Sequence, residues 1–91
     1  MDQKALESSH QHLEIADLTS QYSQLTKKRT QMLDAYSRAF GTPRERAVLQ
    51  DLIALLGQIV ANREQAATLG DKTAATQLIQ CQKDEEKYKR K

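Results

Sequence analysis

Phe40-Gly41-Thr42-Pro43-Arg44-Glu45 is the stretch on which the fold turns. Gly41 can adopt the left-handed conformation that ends a helix. Thr42 is a good N-cap, Pro43 fits the first helical position, and Glu45 stands three residues after the cap, completing a capping box. Four independent preferences agree within six residues and predict two helices joined by a short turn. So short a connection makes those helices antiparallel neighbours.

Upstream of the turn, Ile15, Leu18, Tyr22, Leu25, Arg29, Met32 and Tyr36 follow one another in alternating steps of three and four. That rhythm is a coiled-coil seam, with Arg29 its one polar intrusion. Leu18, Tyr22, Leu25, Met32 and Tyr36 are therefore the expected hairpin seam, and Leu33, Ala39 and Phe40 widen the stripe near the turn. Before residue 13 the pattern weakens. Leu6 and Leu13 are out of phase, and Ser8 with Gln11 makes a second capping box. Residues 1–12 read as a frayed turn, a separate short helix or a solvated extension.

Downstream, two stripes overlap. Leu49, Leu52, Leu56, Ile59, Arg63 and Ala66 form one; Val48, Leu52, Leu55 and Ile59 form the other, with Ile53 and Val60 widening the arc. One facing helix cannot cover so broad an apolar arc. Each Leu or Ile left in water forgoes roughly 1.5–3 kcal/mol of burial free energy, so helix two needs a second neighbour. An internal candidate follows Gly70: Asp71 can cap a third helix carrying Ala74, Ala75, Leu78, Ile79 and Cys81. Gln77, Gln80 and Gln82 dilute that stripe, so it is expected to cover only part of helix two. The remaining surface, Leu49, Leu52, Ile53, Leu56, Ile59 and Val60, is the expected partner-binding face. A closed three-helix core and a homodimeric four-helix bundle are the competing accounts of the same residues.

The 91-residue length sets a ceiling of one domain. The expectation is an all-α antiparallel hairpin with a short third helix: helix one over 13–40, helix two over 43–69, helix three over 72–87 and a basic tail at 88–91. With three Gly, one Pro, four aromatic residues and no Trp, little interrupts a helix and little favours a strand. A chain this short struggles to bury enough surface to offset its conformational entropy, so association is expected.

Charge and chemistry narrow the function classes. Residues 1–82 carry nine basic and nine acidic side chains, and the net +2 sits entirely in Lys83–Lys91. A neutral body does not resemble a nucleic-acid binder. Lys27-Lys28-Arg29 is the one internal basic cluster, and with the tail it supplies the nucleic-acid alternative. His10 and His12, two apart, point to different sides of a helix with no ligand-spaced Cys or carboxylate beside them. Cys81 has no His in its helix and no oxyanion-binding loop, and the three glycines make no phosphate loop. No catalytic, cofactor-binding or metal-binding residues are expected, and no enzyme. Met1-Asp2-Gln3-Lys4 opens no signal peptide. The most apolar stretch, Ala47 to Ala61, is too short and too polar to span a membrane, and a lone cysteine suits a reducing cytoplasm.

The hairpin resembles the small helical co-chaperones of type III secretion needle subunits, the YscE, SsaE and EscE group. The likeness runs from Leu25 through Leu69, with the turn at Gly41-Thr42-Pro43 and a second helix Arg44-Glu45-Arg46-Ala47-Val48-Leu49-Gln50-Asp51-Leu52-Ile53-Ala54-Leu55-Leu56. It implies a bacterial cytoplasmic protein that, with a tetratricopeptide-like chaperone, holds a needle subunit unpolymerised before export. The physical sense is that a needle subunit's amphipathic helix must be kept covered. The alternatives are a Rop-like homodimeric hairpin touching nucleic acid through Lys27, Lys28 and the tail, and a structural coiled-coil subunit.

Overall fold

A computed structural model describes the backbone of residues 3–91 and the side chains of residues 13–91. Three helices follow in order: α1 (Gln3–Ala39), α2 (Glu45–Thr68) and α3 (Lys72–Lys89). At 1.5 Å per residue they are about 55, 36 and 27 Å long, within a body of 62 × 20 × 15 Å. The fold is an all-α hairpin, α1 against α2, with α3 laid along the other flank of α2.

Helix α1 has neither Gly nor Pro before residue 41, and its backbone runs unbroken from Gln3. This differs from the boundary drawn at residue 13, because an out-of-phase apolar pattern removes a packing stripe but not the intrinsic helix propensity. The Ser8–Gln11 pair likewise starts no helix, since the backbone passes through it. Residues 1 and 2 lie outside the described residues.

Gly41 ends α1 at φ +80°. The following cap is built differently from the box expected. Helix α2 begins at Glu45 rather than Pro43, and its N-cap, Arg44, makes no side-chain cap bond. Thr42–Arg44 form a turn instead. The Thr42 hydroxyl donates to the Ala39 carbonyl and accepts from the Arg44 N–H at 3.3 Å, while the Glu45 carboxylate accepts from the Gly41 N–H at 3.2 Å. The same residues satisfy the exposed ends, one step out of register.

The second junction follows its expectation closely. Gly70, at φ +105°, lets its own N–H reach the Ala67 carbonyl and the Asp71 N–H reach the Ala66 carbonyl, both at 3.0 Å. That is a Schellman closure. The Asp71 carboxylate then caps α3, accepting from the N–H groups of Thr73 and Ala74 at 3.0 and 3.2 Å. One residue thus ends α2 and starts α3, which folds the third helix straight back onto the second.

Leu52, Leu55, Leu56, Ile59 and Cys81 form the core, with Tyr22, Leu25, Met32, Leu33, Tyr36, Val60 and Tyr88 packed around it. Helix α2 is central. Helix α3 passes close to Gly57, where a Cβ would stand 3.0 Å from the movable carboxylate end of Glu85. Helices α1 and α3 do not approach backbone to backbone. Long side chains span the gap, the Tyr36 and Tyr88 rings meeting edge-on at 6.1 Å. Besides the small Ala75, two large residues placed on apolar stripes stay outside. Phe40 is 67% exposed, its ring edge-on to Tyr36, because α1 ends one residue before it. Ile79 is also exposed, since the inner face of α3 runs through Ala74, Leu78 and Cys81 and leaves it on the outside.

Candidate functional site

Of the six side chains expected to face a partner, four are taken into the core of the chain and two remain partly open. Leu52 and Ile59 are 0% exposed, Leu49 and Leu56 are buried, and Ile53 and Val60 are half-buried. The wide apolar arc of α2 is real, but α1 covers one flank and α3 the other. The reason is the Gly70-Asp71 junction, which returns α3 along the flank that α1 leaves bare. Leu49, Leu52, Leu56 and Ile59 are core residues of this chain in this conformation. The seam residues Leu18, Tyr22, Leu25, Met32 and Tyr36 are all half-buried on the inner side of α1.

The open surface is a groove between α1 and α2 on the side away from α3. Its outer half lies between Glu14, Asp17, Leu18 and Gln21 of α1 and Ala61, Glu64, Gln65, Thr68 and Leu69 of α2. It continues inward past Gln24, Leu25 and Lys28, opposite Gln58 and Asn62. Gln21, Ala61 and Gln65 belong to both halves, so the two are one channel. Leu18, Leu25 and Leu69 are half-buried along it, while Gln21, Gln24, Gln58 and Gln65 stand exposed on its rims. Since Glu14 lies level with Leu69, residues 3–12 of α1 carry on past the end of α2.

Electrostatically the groove is polarised. Glu14, Asp17 and Glu64 gather at the outer end and Lys28 stands at the inner end. None of the four takes part in an ion pair among the described residues, where the pairs are Asp34–Arg38, Glu85–Lys89 and Glu86–Arg90.

Beneath the groove sits a polar node that sequence reading placed on an apolar stripe. Arg63 is 2% exposed. Its Nε and Nη2 donate to Asn62 Oδ1 at 2.9 and 2.6 Å, Nη1 to Gln77 Oε1 at 3.0 Å, and Nη2 to the Leu18 carbonyl at 3.2 Å. The guanidinium lies 4.0 Å from the centre of the Tyr22 ring. Asn62 Nδ2 also donates to the Leu18 carbonyl, at 3.0 Å. One cation therefore ties all three helices together, through neutral acceptors and a ring face and with no carboxylate partner among the described residues. A signal was available: Asn62-Arg63 is the sole adjacent polar pair in the α2 arc between Leu52 and Ala66 that falls on the buried side.

Cys81 is buried against this node. Burial is the main influence and pushes its thiol pKa up, reinforced by Asp84 and opposed by Arg29, Arg63 and a hydrogen bond from Tyr22. A thiol held protonated in the core is a poor nucleophile. Among the described residues no cluster of His, Cys, Asp or Glu could hold a metal ion; the side chains of His10 and His12 lie outside them. No described helix is long and apolar enough to cross a membrane.

Lys28 and the basic C-terminal residues do not converge. Lys28 lines the groove away from α3, whereas Lys87 and Lys91 belong to the far end of α3, beside the Tyr88 ring at 5.7 and 5.8 Å. A continuous phosphate track would need them on one face. Comparison with family models, curated proteins and solved structures gives no match.

Proposed function

We propose that this chain is a non-catalytic protein-binding module that receives a partner's helix in the α1–α2 groove. The single observation behind the reading is that groove: a channel along two antiparallel helices, with half-covered Leu18, Leu25 and Leu69 and rims rich in glutamine and carboxylate. An amphipathic helix laid along it would cover the leucines and offer side chains to the polar rims. The docking surface is thus moved from the buried residues of α2 to the channel beside them.

The particular form of the proposal comes from the resemblance. The partner is a tetratricopeptide-like chaperone in the bacterial cytoplasm, and the pair keeps a type III secretion needle subunit soluble and unpolymerised before export. Co-expression with candidate chaperones and needle subunits tests it. A stable co-purifying complex, with amide exchange of Gln21, Leu25, Ala61 and Gln65 slowed on binding, is the expected result. Failure to co-purify with either class of protein would overturn the co-chaperone reading.

A further inference from the structure

We infer that in the absence of a partner the groove is filled by a second copy of the same chain, lying antiparallel. This rests on the groove being a docking surface, and it adds who occupies that surface first. A closed dimer requires a surface complementary to itself under a two-fold rotation. The α1 rim meets that requirement. Read along the groove it runs Glu14, Asp17-Leu18, Gln21, Gln24-Leu25, Lys28. Reversed about Gln21, Glu14 falls on Lys28 and Gln21 on itself, while Leu18 and Leu25 come within one residue, about 1.5 Å, of each other.

The two-fold axis then crosses the helices at the level of Gln21 on α1 and Ala61 on α2, the level at which the two halves of the channel join. It lays α1 over α1 and α2 over α2 in opposite directions. Ala61 sits at that axis with the smallest side chain of the lining, so the two α2 helices can approach closely. A parallel arrangement is disfavoured by the same charges, because it would set Glu14, Asp17 and Glu64 of one copy against the same three of the other. The antiparallel one gives each acidic end a Lys28 that forms no ion pair among the described residues.

Equilibrium sedimentation of the full chain from micromolar to millimolar concentration tests this. A monomer–dimer equilibrium weakened by added salt is expected. Lys28→Glu should loosen it about tenfold or more, since both ends of a symmetric interface change at once. Glu14→Lys/Asp17→Lys should do the same, and mixing these two variants should restore association, as opposite charges again face one another. Ala61→Glu, at the axis, should abolish it. All four positions are exposed, so far-UV circular dichroism, and melting at concentrations where the parent chain is monomeric, should be unchanged, which separates lost association from lost folding. A cooperatively folded monomer at every concentration would overturn the inference, as would a dimer indifferent to Lys28→Glu and Ala61→Glu. A monomer that still captures a chaperone leaves the proposed function standing, and a dimer that captures none leaves this inference standing alone.

Discussion

Replacing Arg63 by alanine removes a side chain that binds all three helices through polar contacts, and the loss should be about 2–4 kcal/mol of folding stability. The guanidinium makes four hydrogen bonds to Asn62, Gln77 and the Leu18 carbonyl and lies on the Tyr22 ring. A hydrogen bond to a charged group contributes roughly 1.5–3 kcal/mol and a partly desolvated cation–π contact roughly 0.5–2 kcal/mol. Against this stands the desolvation of a cation with no counter-ion, several kcal/mol in the unfavourable direction. The net is modest, but alanine also opens a cavity and leaves Asn62 Oδ1 and Gln77 Oε1 without their donor. Arg63→Met keeps the stem and drops the charge, so it should cost less than alanine, about 1–2 kcal/mol. Urea unfolding followed by circular dichroism gives both values, with the slope unchanged if only stability has moved. For alanine the melting temperature should fall by at least about 8 °C. A fall of less than about 3 °C, or a methionine variant worse than alanine, would refute the view that this node pins the bundle.

Leu52→Ala, at a position 0% exposed between both neighbouring helices, should cost about 2–5 kcal/mol by urea titration. Asp71→Ala removes the side-chain acceptor for two N–H groups at the start of α3; about 1 kcal/mol should be lost, with amide exchange quickening first around Thr73 and Ala74. Cys81 should alkylate slowly in the native protein and at the rate of a free thiol in denaturant. Its folded pKa is raised by burial, so the folded state holds its proton more tightly than the unfolded one. The resulting stabilisation is fully present below the ordinary thiol pKa and is lost as pH climbs from there through the raised value. Cys81→Ser should flatten that alkaline decline.

Much of the architecture was readable because it rests on local chemistry. Gly41 and Gly70 take positive φ, Asp71 caps its helix, and the three-four rhythm from Ile15 to Tyr36 is the half-buried side of α1. The details that escaped depend on neighbours distant in the chain. Arg63 looks like a flaw in a leucine stripe until Leu18, forty-five residues away, and Gln77 bring their acceptors to it. Phe40 and Ile79 look like core residues by spacing alone, and lie outside because no element packs over them. The candidate groove has no motif at all: it is the flank of the α1–α2 pair that α3 does not take.

Taken alone, the order of residues determined that this chain is helical, where it bends, and that its second helix is too apolar to be shielded by the first. These follow from backbone preferences and from side-chain periodicity, which act over a few residues at a time. Which body shields that helix was decided only in three dimensions. The reversal at Gly70-Asp71 delivers α3 to one flank of α2, so leucines that could have met a stranger became interior, and the open side passed to a polar-rimmed channel. Burial is a property of all the helices together, and no stripe carries within itself the identity of what will lie against it.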